Sequence, residues 1–305
     1  MPRITHLFSP RRCAALLYPL ILSGTAGSAA QPRTVRATPG SFTVMSFNIR
    51  HGDARDGRHH WLRRREAAAA VIRTEAPDVV GLQEALPRQL DYLLSAIDGY
   101  TVIGRGRQED GGGEQAAIMV RHSRFRIDTA ATFWFSDSPH VAGSTHWGNR
   151  LPRTCTWARL VDRLTGDSLL CLNVHLDHRS RPSRTRSARL LIERARQHAQ
   201  GLPVVVTGDF NAGERSRCVR VMTGGLDGDS TNVWTPLVDT YRALYPATRF
   251  TGTHHWFRGF RLGPKIDYIF TSSSARILDA RILRSRYEGR FPSDHFPIVT
   301  ELAIQ

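Results

Sequence analysis

Short apolar runs that end in polar residues alternate along this chain with segments at helical spacing. Phe42 to Asn48 reads as a strand, and Trp61 to Thr74 as a helix with Leu62, Ala69 and Ile72 on one face, stopped by Pro77. Asp78 to Glu84 is a buried strand, and Pro87 opens a second helix running to about Ile97. Ala116 to Arg121 and Phe125 to Phe135 are strands, and Thr154 to Arg163 pairs with Ser168 to His175 as a hairpin about Thr165-Gly166. Ser183 to Gln200 is an arginine-rich helix, followed by the strand Pro203 to Thr207. The last strands are Lys265 to Thr271, Arg276 to Leu283 and His295 to Ala303. Between these lie a glycine-rich, mobile loop over Gly106 to Gln115, a long loop over Ser136 to Arg153 with Trp147, and an irregular stretch with short helices over 213–264. Many strands with a few helices, no repeat and no strong linker predict one α/β domain over 42–305, with two stacked sheets and helices outside. Two domains would need a polar boundary near 110–115 or 225–232, and neither stretch separates segments that look complete.

Composition adds a compartment and a charge. No run approaches the roughly 18–20 apolar residues that span a bilayer. Residues 1–30 read as a secretory signal: Arg3, Arg11 and Arg12, an apolar core from Ala14 to Leu22, and a small-residue cleavage site at Ser28-Ala29-Ala30 before Gln31. Arg11-Arg12 also fits, less well, a twin-arginine export signal. Residues 31–41 are a polar lead-in, and no stable membrane insertion is expected once the signal is gone. The formal charge of +15 falls to +12 without the three signal arginines. Such a charge attracts polyanions; codon bias is the alternative, since Lys265 is the only lysine. Cys13 leaves with the signal, and Cys155, Cys171 and Cys218 lack zinc spacing. The predicted hairpin sets Cys171 opposite Leu160 and Cys155 opposite Leu176, so no disulfide is expected.

Chemistry concentrates at strand ends. Asn48, Glu84, Asp209 and Asn211 each follow an apolar strand, and Ser293-Asp294-His295 runs into the last one. Taken singly, Glu84 is a solvated strand end and Asn48 a turn former. Together they offer carboxylate and amide oxygens to a hard ion such as Mg2+, with Mn2+ as a substitute. His175-Leu-Asp177-His178 invites a two-zinc reading of the metallo-β-lactamase type, but Asn173 stands where its first histidine should be. Asp267 sits within an apolar strand and needs a partner: a backbone turn, or His295, whose tautomer and basicity it would then fix.

Six motifs in order carry a resemblance: Ser46-Phe47-Asn48-Ile49-Arg50, Leu82-Gln83-Glu84, Asn173-Val174-His175-Leu176-Asp177-His178, Gly208-Asp209-Phe210-Asn211, Ile266-Asp267-Tyr268 and Ser293-Asp294-His295. The chain resembles the endonuclease/exonuclease/phosphatase superfamily, and within it a secreted bacterial subgroup. The resemblance implies a DNase I-like four-layer sandwich, with two mixed, mostly antiparallel sheets flanked by helices. It implies a metal held by Glu84 with Asn48 and Asp294, a water oriented or deprotonated by Asp209, and Asn211 on the phosphoryl oxygens or the metal. His295, held by Asp267, would face the scissile phosphate and His175 would bind it from the other side. Arg153 would bind phosphate or be a surface charge. Thr253-His254-His255-Trp256 departs from the subgroup, which has Thr, an aromatic, His and Gly; His255 is expected to face the cleft.

The resulting expectation is a monomeric, secreted or periplasmic phosphoesterase that hydrolyses phosphodiesters, nucleic acid first. Phospholipid or sugar and inositol phosphates are the alternative substrates, and a catalytically inactive polyanion-binding protein is the alternative of another class. Arg153 and the helix carrying Arg184, Arg186 and Arg189 are the candidates for nucleic-acid contact.

Overall fold

A computed structural model describes residues 40–225 and 236–304. The expected signal and nearly all of the lead-in lie outside the described residues. In chain order the elements are β1 (Ser41–Asn48), α1 (Trp61–Glu75), β2 (Val79–Ala85), α2 (Pro87–Ala96), β3 (Tyr100–Ile103), β4 (Gln115–Arg121), β5 (Phe125–Trp134), β6 (Thr154–Asp162), β7 (Ser168–His175), α3 (Arg181–Ala199), β8 (Val204–Asp209), α4 (Arg217–Met222), β9 (Val238–Asp239), α5 (Thr240–Leu244), β10 (Asp267–Thr271), β11 (Ala275–Ile282) and β12 (Ile298–Ile304).

The strands form two six-stranded sheets, ordered β11-β12-β1-β2-β4-β3 and β5-β6-β7-β8-β10-β9. Each is antiparallel except for one central parallel pair, β1 with β2 and β7 with β8. Those pairs are joined through α1 and α3, because parallel neighbours need a crossover. Phe42, Val44, Val79, Leu169, Cys171, Val205 and Ile269 fill the layer between the sheets. Met45, Phe47, Val80 and Leu82 point the other way, onto Ala68, Ile72, Leu90 and Leu93 of α1 and α2. Leu170, Leu172, Val204 and Val206 do the same toward Leu191 and Ala195 of α3 and Met222 of α4. Strands buried on both faces need continuous apolar runs, which is why these read so plainly in the sequence. The four-layer sandwich expected from the resemblance is the fold.

The structure corrects several details. β3 was not anticipated; a four-residue edge strand behind Gly99 is too short to show a period. β10 begins at Asp267, so this residue is a strand end rather than a strand centre. β12 begins at Ile298, and His295 stays in the preceding loop. The β6–β7 register is shifted by two: Cys171 lies opposite Ala158 and Cys155 opposite Val174, because the turn takes five residues. The cysteines still do not meet, and all three are buried free thiols. The glycine-rich loop closes on itself through Arg107 N–H to Glu114 O and Gln108 N–H to Gly112 O, both 3.0 Å. No described helix is long and apolar enough to cross a membrane.

Candidate active site

Strand register brings the polar ends together. Asn48 lies opposite Gln83 in the first sheet, and His175 lies opposite Asp209 in the second. β10 is antiparallel to β8, so Asp267 also lies opposite Asp209. The loop before β12 adds Asp294 and His295, tied by a backbone bridge from His295 to His254. β2 is irregular between Leu82 and Ala85, and Glu84 there adopts φ 60°. A non-glycine residue in that region costs about 1–3 kcal/mol and is held only where its surroundings fix it.

What fixes it is Asn48. Its buried amide donates to Glu84 Oε1 and to Asp209 Oδ2, both at 3.0 Å, and so clamps one carboxylate from each sheet. Its own Oδ1 accepts the Arg50 N–H at 2.9 Å, while Glu84 Oε2 accepts the His51 N–H at 2.7 Å. Asn48 therefore organises the carboxylates through its amide hydrogens, and its Oδ1, with one accepted hydrogen bond, keeps a second lone pair for an ion. Asp294 joins through Arg50, whose Nε is 3.7 Å from Asp294 Oδ2 while the same guanidinium holds Asp56 at 3.0 Å. Burial alone would raise the Asp294 carboxyl, but His254, His295 and Arg50 outweigh it and hold it well below the usual range.

Asp267 and His295 are a pair. Asp267 Oδ2 is 2.9 Å from His295 Nδ1, and both side chains are buried. Burial pushes His295 toward neutrality; the charge and hydrogen bond of Asp267, backed by Asp209 and Asp294, reverse this and hold the imidazolium well above its ordinary pKa. Its other nitrogen, Nε2, lies 3.9 Å from Asp209 Oδ2. Asp209 is pushed up to about 7, chiefly by burial and then by Asp267.

His175 behaves oppositely. Burial, then the charges of Arg153 and Arg107, push it well below the usual histidine value, so it is neutral. Asn211, at φ 49°, sets its Nδ2 3.0 Å from His175 Nε2 and donates to Leu176 O at 3.0 Å. Both amide hydrogens are thus used, and Asn211 Oδ1 is the atom left to act as a ligand. Arg153 is buried, not a surface charge: Nη2 lies 3.0 Å from His178 Nδ1 and Nε 3.7 Å from Asp177 Oδ2. Asp177 and His178 serve this arginine, which leaves the two-zinc reading without its ligands.

The assignment of His255 to the cleft is overturned. Its ring is fully buried, stacked on Phe296 at 3.9 Å, and Nδ1 accepts the Gly259 N–H at 3.2 Å. His254, half-buried, is the one at the cleft: Nε2 lies 3.4 Å from Asp294 Oδ2 and its ring 4.6 Å from that of His295. Adjacent residues on an extended segment point to opposite sides, so one of the two had to be core, and Phe291 and Phe296 select His255.

Sequence reasoning also missed Arg64. It is buried on α1 and donates to Ile49 O, Arg50 O, His59 O and Pro292 O at 2.7–3.0 Å. It thereby ties the loop after Asn48 to the loop before Asp294. Its signal was present: Arg64 shares a helix face with buried Trp61, Ala68 and Val71.

The donors fit a hard divalent cation. Five carboxylates, Glu84, Asp209, Asp267, Asp294 and Asp56, share the three cations Arg50, Arg64 and His295. Surplus buried negative charge is costly without a counter-ion. Glu84, Asp294, Asn48 Oδ1 and Asn211 Oδ1 would supply the oxygens, which leaves Asp209 free to act on water. His254, Asp294 and His295 can also bring ligand atoms within 4.8 Å of one another, as can Asp209, Asp267 and His295. In the second group His295 Nδ1 is already taken by Asp267, which makes it a hydrogen-bonded pair rather than an open ligand set.

Residues 45–295 match the model of the endonuclease/exonuclease/phosphatase family. The chain belongs to that family. Tyrosyl-DNA phosphodiesterase 2 of Homo sapiens is 23% identical over 275 residues, covering 86% of this chain and 68% of the relative. A solved family protein of Bacteroides thetaiotaomicron is 32% identical at TM-score 0.76, covering 87% of this chain and 95% of that one. A mannosyl-6-phosphatase of Bacteroides thetaiotaomicron VPI-5482 is also 32% identical at TM-score 0.76, covering 86% of this chain and all of that one. Membership of the endonuclease/exonuclease/phosphatase family makes this chain a phosphoesterase with the DNase I-like fold.

Proposed function

We propose that this family member is an exported, monomeric, Mg2+-dependent phosphodiesterase that acts on nucleic acid first. The observation that carries the reading is the opposite poise of two histidines across one acidic centre. His295, held by Asp267, is a buried cation able to meet negative charge developing on a phosphoryl group. His175 is neutral and orients Asn211. Asp209, pushed up to about 7 and fixed by Asn48, is suited to take a proton from water near neutral pH. A bound Mg2+ would supply Lewis acidity toward the phosphoryl oxygens. Export rests on the sequence of residues 1–30.

A second reading, hydrolysis of a sugar phosphate, is favoured by the higher identity to the mannosyl-6-phosphatase than to tyrosyl-DNA phosphodiesterase 2. The test is a panel with Mg2+: plasmid DNA, RNA, sphingomyelin, inositol phosphates, mannose 6-phosphate and bis(p-nitrophenyl) phosphate. Turnover should vanish with EDTA and fall by orders of magnitude in Glu84→Gln at unchanged fold. Full activity in excess EDTA would refute the metal. Turnover confined to mannose 6-phosphate would select the second reading, and binding of polyanions without turnover of any ester would make the chain an inactive binder.

A further inference from the structure

A cavity of about 470 Å³ opens beside the centre, with Asn211 in its wall. Its polar lining is Arg181, Arg184 and Thr185 from the first turns of α3, and Ser216 and Arg217 at the start of α4. Three arginines line the cavity and no acidic residue does. The nearest acid in sequence, Glu214, is committed to Arg242 through two hydrogen bonds of 2.5 and 2.9 Å. Arg184 is 9% exposed and held by a 2.7 Å hydrogen bond from Nη1 to Asp177 O, so its place is set by the protein. Arg181 and Arg217 are exposed and enter no ion pair among the described residues. Like charges around one cavity repel unless an anion lies between them, and forked guanidinium donors match phosphate oxygens. The volume falls within the roughly 300–1,000 Å³ of small-molecule sites. Because Asn211 belongs to both the cavity and the catalytic centre, whatever fills the cavity is a neighbour of the scissile group.

We propose that this cavity is a subsite for a second phosphoryl group of the substrate, with Arg181, Arg184 and Arg217 as its donors. The inference rests on the phosphoesterase reading and narrows it to esters that carry another phosphate close to the one cleaved. That phosphate can be the next one along a nucleic acid or a further one on a sugar; the chemistry of recognition is the same.

Two matched substrate pairs test this in Mg2+: thymidine 5′-(p-nitrophenyl phosphate) with and without a 3′-phosphate, and inositol 1-phosphate with inositol 1,4-bisphosphate. The full mature chain is compared with Arg181→Ser/Arg217→Ser, and with Arg163→Ser/Arg276→Ser as a control for the same loss of charge elsewhere. Wild type should favour the doubly phosphorylated member of at least one pair by about tenfold or more in kcat/KM, mainly through KM. The Arg181/Arg217 variant should bring that ratio close to one, and the control should not. The pair that shows the preference identifies the source of the second phosphate. Equal turnover within both pairs, or a preference that the variant keeps, overturns the subsite while leaving the phosphoesterase reading intact. Calorimetric titration with inorganic pyrophosphate gives a reading independent of turnover. The Arg181/Arg217 variant should bind about tenfold more weakly than wild type and the control; equal affinity overturns the subsite even if none of the esters is hydrolysed, an outcome that would sink the phosphoesterase reading separately.

Discussion

Asp267→Asn is the sharpest probe of the centre. The substitution keeps shape and removes one charge 2.9 Å from His295 Nδ1. His295 holds its proton against burial chiefly because of that charge, so the variant should lose it at lower pH. A hydrogen bond to a charged group contributes roughly 1.5–3 kcal/mol, which corresponds to a loss of roughly 10- to 150-fold in kcat/KM if His295 must be cationic in the transition state. The sign follows from the direction of the shift: His295 is raised in the folded enzyme, so activity is present below its pKa and lost as pH rises through it. Removing Asp267 therefore moves the alkaline limb of the pH–rate profile to lower pH. The assay is bis(p-nitrophenyl) phosphate hydrolysis in Mg2+ across pH for wild type, Asp267→Asn, His295→Ala and the double variant. If the two act as a unit, the double variant should lose no more than a few-fold beyond His295→Ala, about the non-additivity seen when catalytic partners are removed together. Losses that multiply, or an alkaline limb that stays in place in Asp267→Asn, would refute the pairing.

Arg64→Lys removes a fork that serves four carbonyls and leaves some of them buried without a donor. It should cost roughly 2–4 kcal/mol in urea unfolding and slow hydrolysis by loosening both loops; a wild-type urea midpoint would show that the tie is dispensable. His255 is pushed down to about 4 by burial, so the unfolded chain takes up its proton first as pH falls. The stability from this residue, at most about 3 kcal/mol, is present above pH 6.5 and lost as pH falls toward 4. His255→Phe should flatten the fall of the urea midpoint over that window, with buried His175 leaving a remainder of the same sign, and a variant curve that tracks wild type would count against a core role.

Most strands and the site residues at their ends were legible because the sheets are covered on both faces, which forces unbroken apolar runs and makes a terminal Asn, Glu or Asp conspicuous. Chain-distant facts were not. The choice between His254 and His255 depends on Phe291 and Phe296, forty residues on in sequence and stacked above one ring only. The β6–β7 register depends on a turn longer than Thr165-Gly166 implied. The spacing of Arg64 from Trp61, Ala68 and Val71 placed it on the inward face of its helix, but its bonds to Ile49 O and Pro292 O depend on loops distant in the chain.

The position of the site follows from a gradient along the inward faces of the central strands. Residues two apart on a strand share a face. On β1 that face runs Val44, Ser46, Asn48; on β2, Val79, Gly81, Gln83; on β7, Cys171, Asn173, His175; on β8, Val205, Thr207, Asp209. The first of each set belongs to the apolar layer between the sheets. The middle members are a polar seam. Asn173 Nδ2 donates to Leu82 O and Ala117 O, both at 2.8 Å, while its Oδ1 accepts from Gln83 Nε2 at 2.7 Å and Thr207 Oγ1 at 3.0 Å. All four of its hydrogen-bonding positions are filled, which is what allows a polar side chain to be wholly buried there. Gly81 completes the seam by absence: a Cβ would lie 2.0 Å from Thr207 Oγ1 and 2.7 Å from Asn173 Oδ1. The two sheets are thus pinned by directional bonds just before their apolar contact ends. The last members, Asn48, His175 and Asp209, inherit that fixed spacing. An Asn48 amide that reaches carboxylates from both sheets at 3.0 Å depends on the fixed seam beneath it. A slide of one sheet over the other by one residue, about 3.3 Å, would break the bond to Asp209, and a one-residue slip of a strand within its sheet would turn its side chains to the helix-covered face.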